Sequence, residues 1–129
     1  MNNKNDIKKF VINELGCNCP SEVFNIIERQ KDIQLDQNIN LNYRINIGNR
    51  LLIYIMEIND EEFLRQNLLK IVAHGIDERN KNNFNRFRLV IISNDIDEMN
   101  KSGQRLLNTI LKMDQKVHLH IVRKEDFVI

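Results

Sequence analysis

Tryptophan is absent from this 129-residue chain, proline occurs once, glycine four times and cysteine twice. With only six phenylalanines and two tyrosines beside these gaps, the core must be built from Ile, Leu and Val. So little proline and glycine excludes collagen-like and low-complexity designs. It also leaves no glycine-rich phosphate loop: Gly48 stands beside Asn49 in a turn, and Gly103 falls on a helical stripe. Two cysteines are too few for a disulfide scaffold. No apolar run approaches the roughly 20 residues needed to cross a bilayer as a helix. The start, MNNKNDIKKF, has neither an apolar stretch nor a small-residue cleavage site, so secretion is not expected. The expected compartment is the reducing cytoplasm, where a permanent structural disulfide is out of place.

Charge of one sign is lacking as well. Nineteen basic and eighteen acidic residues leave a formal net charge of +1. No global field draws the chain to nucleic acid or to an anionic membrane; only a local patch could do so. Nor is there a local signature of a nucleophile, histidine and acid acting together.

What remains is ordinary globular composition, 42% hydrophobic and 29% charged, at the size of a single domain. Residues 6–15 carry Ile7, Phe10, Val11 and Leu15 on one helical face, and Gly16 stands where a left-handed cap would end the helix. Pro20, Ser21 and Glu22 suit the first turn of a second helix, buried through Val23, Phe24, Ile26 and Ile27. Alternation from Ile39 through Leu41, Tyr43 and Ile45 to Ile47 predicts a half-buried strand with these five residues on one face. A Gly48-Asn49 turn then leads to residues 51–56, apolar on both faces as a central strand requires. Residues 32–35 are a further short strand candidate.

A long helix follows from Asp60, with Leu64, Leu68, Ile71, Val72 and Gly75 along one stripe. Residues 87–92 form a buried strand. Asp95 and Glu98 are spaced as a capping box for the next helix, and residues 117–122 form the last strand before a tail at 125–129. The order α-α-β-β-α-β-α-β implies one α/β domain over residues 1–129, with a mixed sheet of four to five strands and helices packed on it.

The chemistry-bearing residues are few. Cys17 and Cys19 lie in the hinge ELGCNCPSE between the first two helices. A thiolate at a helix N-terminus is stabilised by unsatisfied backbone N–H groups, and Cys19, next to Pro20, is placed for that. A neighbouring thiol could then resolve a mixed disulfide. Against this, one intervening residue makes a tight ring, and Glu14 and Glu22 oppose further negative charge. The plain alternative is that both thiols are small buried hydrophobes.

His118 and His120 alternate on the final strand, so both imidazoles project from one face. With Cys17 and Cys19 they would make a Cys₂His₂ set suited to zinc or another soft metal, if the hinge and the last strand meet. His74, off the apolar stripe of its helix, reads as a surface residue. The acids Asp95, Asp97 and Glu98 follow a buried strand, where capping accounts for them better than Mg²⁺ does. The run at 79–88 mixes four basic residues with two phenylalanines, the composition of a single-strand nucleic-acid patch, but a solvated loop explains it more simply.

Two functional readings follow. One is a small cytoplasmic thiol module, in redox exchange or soft-metal handling, using Cys17 and Cys19. The other is a non-enzymatic interaction domain with structural cysteines, pairing with a protein partner or a second copy through the strand at Ile39–Ile47 if that strand is an edge.

Overall fold

A computed structural model describes residues 4–127, so the last two residues of the expected tail lie outside it. Five strands run β1 (Ile27–Asp36), β2 (Ile39–Ile47), β3 (Leu51–Glu57), β4 (Arg86–Ile92) and β5 (Val117–Val122). They form one sheet in the order β1-β2-β3-β4-β5, antiparallel as far as β3 and parallel from β3 to β5. The helices are α1 (Lys4–Asn13), α2 (Glu61–Lys81), α3 (Ile96–Leu106) and the short α4 (Asn108–Met113). The single α/β domain with a mixed sheet is the architecture the alternation of elements implied.

Helices cover both faces of the sheet. Ile7, Phe10 and Val11 of α1 pack against Ile53, Ile55, Val90 and Ile92. Leu64, Leu68, Ile71 and Val72 of α2 and Met99 of α3 pack against Leu52, Tyr54, Phe87 and Leu89. β3 supplies alternate residues to the two cores, which is why it is apolar at every position from Leu51 to Met56. Each such side chain contributes about 1.5–3 kcal/mol of burial.

Three local features depart from the sequence reading. The second helix is a five-residue 3-10 turn, Ser21–Asn25, and Ile27 already belongs to β1. The alternating part of the segment gains a full ladder by pairing with β2 from Ile27↔Ile47 onward, and that outweighs the helical start signals. The strand Ile39–Ile47 is interior, not an edge, because β1 pairs along it on one side and β3 on the other.

The five residues on its supposed single face are also divided. Ile39 and Leu41 join the α2-side core, whereas Ile45 and Ile47 join the α1-side core. The change falls between Leu41 and Tyr43. There Asp32 on β1 has φ of 52°, and the Asn42 side chain accepts from the Glu57 N–H at 2.8 Å. Arg44 and Asn46, which alternate with the apolar residues, are half-buried and buried. Asn46 is 2% exposed, and its side-chain amide donates to Glu28 and Asn49 at 2.7 and 2.8 Å.

Candidate functional site at the cysteine hinge

The hinge is held by the elements around it. Gly16 has φ of +67°, the left-handed cap its position implied, and the Cys17 N–H turns back to donate to the Val11 carbonyl at 3.2 Å. Leu15 anchors the segment in the α1-side core, and its carbonyl accepts from Arg88 Nη1 at 2.9 Å. Beyond Pro20, the 3-10 turn lies directly on the β2–β3 turn. The Gly48 N–H donates to the Ile26 carbonyl at 2.7 Å, and a Cβ on Gly48 would lie 2.7 Å from the Val23 carbonyl oxygen. Glycine is required there by both its φ of +62° and the lack of space.

Cys17 and Cys19 are joined as a disulfide, with Cα atoms 5.4 Å apart. Both are half-buried, packing partly on the α1-side core while lining a pocket of about 380 Å³. The pocket also takes in Arg50, Asn85, Arg86 and Arg88. The Arg50 carbonyl accepts from the N–H groups of Asn85 and Arg86 at 2.7 and 3.0 Å, which fixes the start of β3 beside the start of β4. Arg86 and Arg88 share strand parity with Val90 and Ile92, so both project to the α1 side, where the hinge lies.

A single 3-10 turn after Pro20 offers no extended helix dipole, and the charged groups that line the pocket with the cysteines are the guanidiniums of Arg50, Arg86 and Arg88. Arg88 is 8% exposed, and its Nη1 donates to both the Leu15 carbonyl and His120 Nε2, the latter at 2.8 Å. Its Nε is buried and has no hydrogen-bond partner among the described residues. Burial, followed by the nearby Arg86 charge, pushes Arg88 below the usual arginine range. Among the described residues, none of the three arginines forms an ion pair.

His118 and His120 project to the same side, as the alternation implied, and their rings stack with centroids 6.4 Å apart. His118 is the register partner of Arg88. Burial, then Arg88, then His118 push His120 down to about 4, and burial followed by Arg88 and Arg86 lowers His118. Because an arginine only donates, the bond to His120 Nε2 places the ring proton on Nδ1. The structure thus brings Cys17 to Cys19 and His118 to His120, with Arg88 linking the hinge to the histidines. Among the described residues, no three or more His, Cys, Asp or Glu side chains are grouped to hold a metal ion.

The other sequence candidates have structural duties. Asp95 caps α3 by accepting from the Glu98 N–H at 3.3 Å, and Ser93 Oγ accepts from the Asp95 N–H at 3.1 Å. The basic run at 79–88 is taken apart by the fold. Arg79 is buried against Asp114 at 2.8 Å, Phe87 enters the α2-side core, and Arg86 and Arg88 join the pocket. His74 is exposed but not idle: its Nδ1 lies 2.9 Å from the Tyr54 hydroxyl, which also donates to Glu78. Burial pushes Glu78 up, yet hydrogen bonds from Arg44 and Tyr54 outweigh it and hold the carboxyl below its usual range.

Sequence reasoning missed the grouping of Arg50, Arg86 and Arg88. The available signal was Arg88 itself, a charged residue inside the otherwise apolar strand FRLVII.

Fold and site define a small α/β domain that presents a cysteine pair beside an arginine-lined pocket. No protein-family model matches the chain, and neither a curated protein nor a solved structure matches it.

Proposed function

We propose that the chain is a small cytoplasmic thiol module that exchanges disulfides through Cys17 and Cys19. One thiolate attacks a sulfur of the substrate disulfide, whose S–S bond breaks and releases one thiol. The second cysteine attacks the resulting mixed disulfide and releases the other thiol. The protein dithiol is oxidised and the substrate disulfide reduced by the same two electrons. The observation that carries this reading is the position of both half-buried cysteines on a pocket lined by three arginines that form no ion pair among the described residues. Positive charge favours the thiolate, the reacting form.

Trapping tests the exchange. Reduced protein mixed with a neutral aromatic disulfide should end as the intramolecular disulfide, with its mass unchanged apart from the lost hydrogens. Cys17→Ser and Cys19→Ser should each stop at the mixed disulfide. A wild-type product carrying two reagent groups, with no ring closure, would defeat the reading.

Soft-metal handling by the reduced pair is the other chemistry open to these thiols, with zinc as the reference ion. The guanidinium groups on the pocket, and the lack of a third ligand grouped with the pair among the described residues, favour exchange over it. Elemental analysis of the reduced protein measures this directly.

A second reading, a protein-interaction or dimerising domain, is supported by β1, a ten-residue strand that stands at the edge of the sheet among the described residues. Glu28, Arg29, Lys31 and Asp32 along it are the charges that blunt such edges. A solution mass that stays monomeric at high concentration removes the dimer.

A further inference from the structure

We propose that the pocket beside the hinge is an oxyanion site, and that the disulfide exchanged there is a small acidic one bearing carboxylates. The assignment of substrate rests on the exchange reading; the oxyanion site does not.

Three observations converge. The pocket, at about 380 Å³, is of small-molecule size, and Arg50, Arg86 and Arg88 line it with no Asp or Glu among the lining residues. Like charges gathered around a concavity repel one another, and Arg86 indeed disfavours the charge on Arg88. An anion seated among them removes that repulsion.

Arg88 supplies the second observation. It is 8% exposed, yet among the described residues it has no carboxylate in an ion pair, no partner for its buried Nε and no hydrogen bond from Nη2. Nε is sealed from solvent and Nη1 is already engaged, so Nη2 is the Arg88 donor left for an acceptor on the pocket wall. The planar fork of an arginine matches the two oxygens of a carboxylate or phosphate.

The third observation is continuity. Gly16, Cys17 and Cys19 line the same pocket as the three arginines, so an anion held there sits beside the sulfur pair. A disulfide whose carboxylate lies a few bonds from its sulfur would be oriented for attack by the same contact. A concavity of about 380 Å³ is the size of a small ligand, which is the occupant it suits.

The test has two arms. In the first, reduced protein reacts with dithiobis(nitrobenzoate), which carries carboxylates, and with neutral dithiodipyridine. Their rate ratio, normalised to a free thiol, should favour the acidic reagent. In the combined Arg50→Gln and Arg86→Gln variant that preference should fall about tenfold, as it should in high salt. An unchanged ratio overturns the acidic-substrate assignment.

In the second arm, inorganic phosphate is titrated into oxidised wild-type protein by calorimetry. Saturable binding that is lost in Arg88→Met and weakened in the Arg50→Gln, Arg86→Gln variant supports the site. Absence of saturable binding to the folded wild type overturns it, whatever the thiols do. Phosphate binding without exchange by either reagent keeps the oxyanion site and removes the substrate assignment together with the exchange reading.

Discussion

Acidification from about pH 7.5 to about pH 5 is expected to cost this fold about 2 kcal/mol through His120 alone. The imidazole stands over Arg88, whose Nη1 donates to its Nε2 at 2.8 Å, with His118 stacked beside it. Arg86 and Asp114 act on His118 in opposite directions, the first lowering and the second raising its value. Burial first, then Arg88 and His118, bring His120 from 6.5 to about 4. The folded value lies below the unfolded one, so the unfolded chain takes up the proton first. Stability from this group is complete above the unfolded value and is lost as pH falls toward about 4. At pH 5 the unfolded histidine is almost fully charged and the folded one still neutral, which yields the figure of about 2 kcal/mol.

Urea unfolding across this range, on wild type and His120→Gln, isolates the effect. Glutamine keeps an acceptor for Arg88 and cannot titrate. Asp114 and Glu78, whose values are lowered, give up their own stability only at more acidic pH. Wild type should lose about 2 kcal/mol more than the variant between the two pH values. Equal losses would refute the reasoning and place His120 in solvent.

Two further perturbations test the packing that holds the site. Gly75→Ala pushes a methyl into the ring of Phe87, which is fully buried against Tyr54. Overpacking of about 1–3 kcal/mol should outweigh the roughly 1 kcal/mol that alanine adds to a helix, and Phe87→Leu should relieve the loss in a double-mutant cycle. Asp114→Ala leaves Arg79, 7% exposed, without its carboxylate. It should cost about 2 kcal/mol or more in chemical denaturation, with Arg79→Met restoring most of it.

Periodicity carried the architecture. The doubly apolar segment at 51–56 could only be central, and the stripes of α2 and α3 could only face the sheet. Local signals were weaker wherever long-range pairing decided the outcome. Pro20, Ser21 and Glu22 do begin a helical turn, but the ladder with β2 captures the chain at Ile27. The change of face between Leu41 and Tyr43 lies opposite a left-handed Asp32 in the neighbouring strand, which no pattern within β2 records.

At the site, the hinge and its glycine cap were legible from ELGCNCPSE alone. The arginines were not, because Arg50 stands in a turn, Arg86 begins a strand and Arg88 lies within it. Only the parallel pairing of β3 with β4 brings them to one wall. The same pairing of β4 with β5 sets His118 and His120 beside an arginine, an arrangement that strand alternation alone does not contain.

Activation of the cysteine pair by its arginine-lined pocket is the central claim, and alkylation measures it most directly. The native, reduced protein is alkylated with iodoacetamide from about pH 5 to about pH 9, and modification at Cys17 and Cys19 is resolved by mass spectrometry. At least one thiol should ionise clearly below the ordinary value of about 8.5, and the combined Arg50→Gln and Arg86→Gln variant should return it toward that value. Ordinary ionisation of both thiols, or reaction only after denaturation, would contradict the claim.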